Sequence, residues 1–305
     1  AHRRARRAND LTTKGHRLIA EGEHERARKF LDSGAVNNDA KAINYLAAAR
    51  AADRIGDHEG RESYLRMAVE CDKSLLRATS VVASELALAR GEPEQALILL
   101  DDVTLNDHIL DIKLKAIRAI PSWSERLVAL RHLGKAESVI ASAIEKDSAA
   151  AGLSDLTLND DDRHELFRNL SGNLKRDAGL IALYVGGLTD KESVEPLLRS
   201  NLKRSWNREL VILYGALGDR TLNIRMKTAK NWLKTNSTDP ALHYCLGRIH
   251  EQKSEQDMAK NYYASSVEAG GPHDAAIRLG QIMSIEGQYE KSVALYQGVM
   301  ESTAS

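Results

Sequence analysis

The strings Gly22-Glu23-His24-Glu25-Arg26-Ala27, Gly56-Asp57-His58-Glu59-Gly60-Arg61 and Gly91-Glu92-Pro93-Glu94-Gln95-Ala96 follow one another at intervals of 34 and 35 residues. Each opens with a glycine that closes one apolar-periodic stretch and precedes another. At the far end of the chain Leu246-Gly247 returns as Leu279-Gly280, 33 residues later. Self-similarity near this period marks a two-helix hairpin that cannot bury its apolar face alone and stacks on copies of itself. The spacing therefore predicts an all-α, helical-hairpin solenoid.

Working outward from Gly22, Leu11, Gly15 and Leu18 share one face of a first helix, and Ala27 and Leu31 mark the inner face of a second. The next unit has Tyr45, Ala48, Ala49 and Ala52 before Gly56, then Leu65 and Ala68. The third has Ala83, Ser84 and Ala87 before Gly91, then Ala96, Leu100 and Val103. Small residues recur where paired helices cross, and larger ones fill the space beside them. Ile120-Pro121-Ser122-Trp123 reads as a further turn, Asn159-Asp160-Asp161-Asp162 as a helix start, and Asp239-Pro240 as another. Three segments result: repeats over 1–148, a degenerate helical stretch over 149–205, and repeats over 206–305, for about eight helical pairs.

This pattern resembles the tetratricopeptide repeat. The best match is Leu279-Gly280 with Gly287-Gln288-Tyr289, Ser292, Tyr296 and Val299; Leu246-Gly247 with Ala259 and Tyr263 comes second. The resemblance implies a right-handed superhelix whose concave face is lined by the first helix of each unit. Its groove-facing positions fall at Thr12 and His16, Leu46 and Arg50, Val81 and Glu85, Tyr244 and Arg248, and Ile277 and Gln281. Chaperone-binding members clamp a terminal carboxylate with Lys and Asn at such positions, and that set is absent here. His16, Arg50, Glu85, Tyr244, Arg248 and Gln281 are the candidate partner-binding residues, suited to an acidic or amphipathic peptide or to porphyrin propionates.

A narrower resemblance rests on Asn44-Tyr45-Leu46-Ala47-Ala48-Ala49-Arg50-Ala51-Ala52, followed by Gly56-Asp57, Arg61 and Tyr64-Leu65. Together with Ala20-Glu21-Gly22-Glu23, Glu94-Gln95-Ala96-Leu97, Leu213-Tyr214-Gly215, Trp232-Leu233 and Leu246-Gly247-Arg248, this run is similar to the HemY family. The resemblance implies a bacterial inner-membrane protein whose helical repeats face the cytoplasm, tethered by N-terminal membrane helices that this chain lacks. It also implies a role in late haem biosynthesis, with protein partners such as ferrochelatase and with haem itself as a candidate ligand. A flavoenzyme that shares the HemY name is excluded, since the chain has no Gly-x-Gly-x-x-Gly string.

Composition narrows the function classes. The 43 basic and 43 acidic side chains cancel, which argues against a nucleic-acid binder. Cys71 and Cys245 are too few for a disulfide framework, and no run approaches the ~20 apolar residues of a membrane span. Four arginines fall in the first seven positions, Arg3, Arg4, Arg6 and Arg7. By composition they read as a solvated helical turn, whereas the HemY resemblance makes them a juxtamembrane flank.

The ten histidines are scattered, and no metalloprotease, paired-cysteine, nucleophile-elbow or Walker string occurs. His243 and His250 share a helix face but stand about 10 Å apart along its axis, too far to hold one ion. They read as packing residues, as do His24 and His58 at the turns. The expected function is a non-enzymatic, membrane-tethered scaffold or regulator of haem biosynthesis. The alternative is a peptide-binding adaptor in envelope or complex assembly, with no metal and no catalytic residue in either case.

Overall fold

The computed structural model describes residues 2–36, 38–134 and 138–304. Among these residues there are 18 α-helices, four short 3-10 turns and no strand. They gather into two compact units, one ending at Ile144 and the other starting at Glu145.

The first unit holds α1 (His2–Ala20) and α2 (His24–Ala35), α3 (Lys41–Arg54) and α4 (His58–Cys71), α5 (Leu76–Ala89) and α6 (Pro93–Leu99), and α7 (Asp107–Ala119) and α8 (Trp123–Leu133). Each successive pair forms a hairpin, and first helices also touch: α1 with α3, α3 with α5, α5 with α7. The expected inner faces are buried, with Ala27, Leu31, Ala48, Ala49, Ala52, Ala68, Ala87, Ala96 and Leu100 all at 0% exposure. The turn at Pro121 falls between α7 and α8, and Ser122 caps α8 through the Glu125 amide.

Gly22, Gly56 and Gly91 adopt φ of 79°, 75° and 79°. A residue bearing a Cβ is strained there, which is why glycine marks these turns in the sequence. In the first turn Gly22 N–H donates to Ile19 O at 3.0 Å and Glu23 N–H to Leu18 O at 2.9 Å. These two reversed bonds satisfy carbonyls that a helix end would otherwise leave open.

The second unit contains the remainder of α9 (Val139–Leu153), then α10 (Asp160–Arg168), α11 (Ala178–Gly187), α12 (Glu195–Arg204), α13 (Arg208–Gly215), α14 (Leu222–Trp232), α15 (Pro240–Gln252), α16 (Gln256–Glu268), α17 (His273–Ile285) and α18 (Tyr289–Ala304). The predicted starts hold. Asn159 and Asp162 make a reciprocal capping box on α10, and Asp239 caps α15 through the amides of Ala241 and Leu242.

The division at 144/145 lies a few residues before the first boundary drawn from the sequence. One apolar cluster, from Ala149 through Tyr184, Leu198, Tyr214 and Leu242 to Ile249, runs across 205/206 without a break. The stretch 149–205 thus shares its core with α13 and its successors, although its helices are short.

The glycine of each Leu-Gly pair has a different task from the turn glycines. A Cβ on Gly247 would lie 2.5 Å from the Tyr263 ring, and one on Gly280 would lie 2.8 Å from Tyr296. Gly15 has the same relation to Leu31, at 2.7 Å. In all three hairpins the large partner stands sixteen residues after the glycine, so the second helix seats its bulky side chain directly on the first helix's backbone.

Candidate functional site

In the first unit, successive first helices bring charged groups into line. Arg50 on α3 donates from Nη2 to Glu85 Oε2 on α5 at 2.7 Å. His108 on α7 places Nε2 3.6 Å from the other oxygen, Glu85 Oε1. Arg50 and His108 are exposed and Glu85 is half-buried. The line therefore tethers three hairpins while remaining open to solvent. His16 is exposed on α1 and Leu46 is half-buried on α3. His108 escaped the sequence reading because it is the second residue of α7, whereas Arg50 and Glu85 are each the tenth residue of their helix, so the repeat period does not point to it.

The second unit treats its candidate residues differently. Tyr244 on α15 is 3% exposed, and its hydroxyl donates to the Asp274 carboxylate on α17. Arg248 donates from Nη1 to the Tyr244 oxygen at 3.2 Å. Arg278 donates from Nε to Asp274 at 2.7 Å and from Nη1 to Glu251 Oε2 at 3.0 Å, and Tyr263 donates to Glu251 at 2.5 Å. Two arginines, two carboxylates and two tyrosines thus form a closed network holding α15, α16 and α17 together. Gln281 is exposed one turn beyond Arg278.

Sequence reasoning identified Tyr244 and Arg248 but not Glu251, Asp274 or Arg278. The available signal was the Asp274/Arg278 pair at i,i+4. Burial and the hydrogen bond to Asp274 push the Tyr244 hydroxyl's pKa up. For Asp274, burial works upward, but Tyr244 and Arg278 outweigh it and hold the carboxyl below its usual range. The stability this carboxylate lends is therefore present above the ordinary aspartate pKa of about 3.9 and is lost as the pH falls through its lowered value.

A cleft of ≈ 430 Å³ opens between α9, α11 and α13, lined mainly by Ala150, Leu180, Ala182, Leu183 and Leu213. Lys146 and Asp177, paired at 2.6 Å, stand at its edge with Glu209. Its lining begins in the stretch that matches the repeat poorly, so no groove position was read there from the sequence.

The histidines of α15 are packing groups. His250 is 2% exposed, its Nδ1 is paired with Glu255, and its ring stacks on Tyr262 with centroids 5.2 Å apart. His243 stacks on the same tyrosine at 6.1 Å. Cys245 is fully buried, and that burial pushes its thiol up to about 12, out of reach as a thiolate. Among the described residues no group of three or more His, Cys, Asp or Glu side chains is placed to hold a metal ion, and no helix is long and apolar enough to cross a membrane.

No protein-family model matches the chain. Two solved structures align with it: yeast Tom70, at a TM-score of 0.34 and 11% identity over 96% of this chain and 68% of that one, and the APC/C hetero-tetramer Cut9-Hcn1, at 0.34 and 12% over 96% and 66%. At that score they add nothing to what the helices themselves show. Among curated proteins, Protein HemY of Escherichia coli K12 is 24% identical over 275 residues, covering 84% of this chain and 68% of the relative. Protein HemY of Shigella flexneri aligns with the same identity and coverage. The chain is thus similar to the HemY proteins over most of its length, as the Asn44–Ala52 run implied.

Proposed function

We propose that this chain is a non-enzymatic scaffold that holds protein partners of late haem biosynthesis at the bacterial inner membrane. The observation that carries the binding part is the exposed Arg50–Glu85–His108 line on α3, α5 and α7. A charged strip repeated on successive first helices offers a partner several contacts in register. An isolated exposed pair of this kind contributes only about 0–1 kcal/mol to folding, so its alignment is better accounted for by recognition than by stability. The pathway, the membrane location, the cytoplasmic orientation and ferrochelatase as an example partner come from the HemY resemblance.

The test is affinity capture from a bacterial membrane extract with the parent chain, Arg50→Glu, Glu85→Arg and the doubly exchanged variant. Loss of capture in both single variants supports the face. Unchanged capture in all of them removes Arg50 and Glu85 from the site. Arg248 is unsuited to the same test, because reversing it disrupts the network that seats α17. Porphyrin accumulation in a deletion strain supports the haem-biosynthesis assignment, and unchanged porphyrin levels count against it.

The apolar cleft beside α11 favours a second reading, that of a peptide-binding adaptor in another assembly process. In that case Leu183→Glu abolishes partner capture while Arg50→Glu leaves it intact.

A further inference from the structure

A cavity of ≈ 480 Å³ lies in the first unit between α4, α5 and α6, on residues that the Arg50–Glu85–His108 line does not use. Its size is that of a small-molecule site. Leu65, Ala83 and Leu99 supply the apolar lining, and Arg61, Arg90, Gln95, Glu62 and Glu92 the polar lining. Arg61 is the fourth residue of α4, where α2 and α6 carry Ala27 and Ala96. The carbonyls at the end of α3 do not call for it, because Gly56 N–H donates to Asp53 O and Asp57 N–H to Ala52 O. Its guanidinium turns to side chains instead. Arg61 and Arg90 both donate from Nη1 to one atom, Asp53 Oδ1, each at 2.9 Å, which holds the two cations side by side.

The remaining edge of each guanidinium is filled by a glutamate close by in the chain. Arg61 Nε and Nη2 both stand 2.9 Å from Glu62 Oε1, and Arg90 Nε and Nη2 donate to Glu92 Oε1 and Oε2 at 3.1 and 2.6 Å. Here the cations are fixed and these anions are not. The side chains of Arg61, Arg90 and Asp53 are 10%, 20% and 7% exposed, against 62% and 48% for Glu62 and Glu92. Asp53 neutralises one guanidinium, and the charge of the other is met only by the exposed carboxylates. The Glu92 carboxyl is held below its usual range chiefly by Arg90, with Arg61 and His58 adding to the effect. Exposed pairs between residues one or two positions apart tie no helices together and add little to stability. An incoming acid can therefore take their places at little cost to the fold. A metal cation is disfavoured, because both carboxylates lining the cavity already face a guanidinium.

We propose that this cavity binds a small organic dicarboxylate, with one acidic group on Arg61 and the other on Arg90. Glu62 and Glu92 are displaced into solvent, and the hydrocarbon spacer lies against Leu65, Ala83 and Leu99. A guanidinium edge matches a carboxylate in shape as well as charge, and two edges held by one aspartate accept one separation between acidic groups. The cavity is distinct from the protein-binding line, so this inference and the scaffold reading fail separately.

The test is calorimetric titration of the 305-residue chain with succinate, glutarate, adipate and inorganic phosphate. One dicarboxylate length is expected to bind severalfold more tightly than the other two and than phosphate. R61Q and R90Q each remove one edge and should weaken that binding by about tenfold or more. E62Q/E92Q removes the internal competitors and should tighten it by about 2- to 30-fold. This last variant keeps both guanidiniums, so its result is read even where R61Q fails to fold, which circular dichroism reports. No binding of any dicarboxylate at millimolar concentration, undiminished binding by R90Q, or no tightening in E62Q/E92Q overturns the proposal. So does phosphate binding as tightly as the best dicarboxylate, which reassigns the cavity to simple anions.

Discussion

The link from α3 to α4 in the first unit and the link from α13 to α14 in the second close the same gap by different means. In the first, Gly56 takes a left-handed turn, its N–H donates to Asp53 O, and Asp57 N–H donates to Ala52 O, so backbone meets the open carbonyls. In the second, no left-handed residue lies between the helices. The buried guanidinium of Arg225 reaches Tyr214 O, Gly215 O and Gly218 O at 3.2, 3.1 and 2.6 Å, and Gln252 Oε1 at 2.8 Å. Arg163 does the same for Leu153 O and Asp155 O at the end of α9.

Arg163 and Arg225 are each the fourth residue of their helix, the place where α2, α6 and α16 carry Ala27, Ala96 and Ala259. A helix end needs its carbonyls satisfied. Either glycine conformation or a long buried donor can do it, and the choice decides whether the repeat stays visible in the sequence.

The largest effect is expected from breaking the second arrangement. Arg225→Ala leaves several buried carbonyls without donors and should lower stability by about 3–5 kcal/mol. Urea unfolding followed by Trp206 and Trp232 fluorescence, two rings 5.4 Å apart in this unit, reports it. A loss below about 1 kcal/mol would falsify the capping role.

Next come the two kinds of glycine. Gly247→Ala forces a methyl against Tyr263 and should cost about 1–3 kcal/mol. Gly56→Ala meets nothing within 4 Å and has φ of +75°, so only backbone strain of about 1–2 kcal/mol applies. Equal costs from identical mechanisms are then ruled out if relieving the crowding at Tyr263, by Tyr263→Leu, rescues the first variant and leaves Gly56→Ala as destabilised as before.

A smaller gain is available between α15 and α16, where Ser254 holds φ of 60° in the place glycine occupies elsewhere. Ser254→Gly should raise stability by about 0.5–1 kcal/mol, read as a higher melting temperature. The smallest change is expected at Arg50→Gln, below about 0.5 kcal/mol. A larger loss there shows that the charged line serves folding, and it weakens the recognition reading.

Much of the first unit was legible because each rule it obeys is local. Glycine at the turns after α1, α3 and α5, and alanine as the fourth residue of α2 and α6, each leave their mark at a fixed offset. The site was half legible. Spacing placed Arg50 and Glu85 on one face, but their contact depends on how α3 and α5 stack, and His108 joins from the first turn of α7, out of step with the repeat position of the other two. In the second unit, Tyr244 and Arg248 were read as groove residues, and tertiary packing drew them into the network with Asp274 and Arg278.

By itself, then, the sequence determined the all-α hairpin repeat, its turn positions and the likeness to HemY, since these rest on backbone conformation and helical periodicity. Tertiary structure alone decided which charges stay open to a partner and which are consumed in holding helices together. It also decided that the stretch around Arg163 and Arg225 shares one apolar core with the helices that follow it. Both outcomes depend on side chains reaching across helices distant in the chain, a distance that no local pattern encodes.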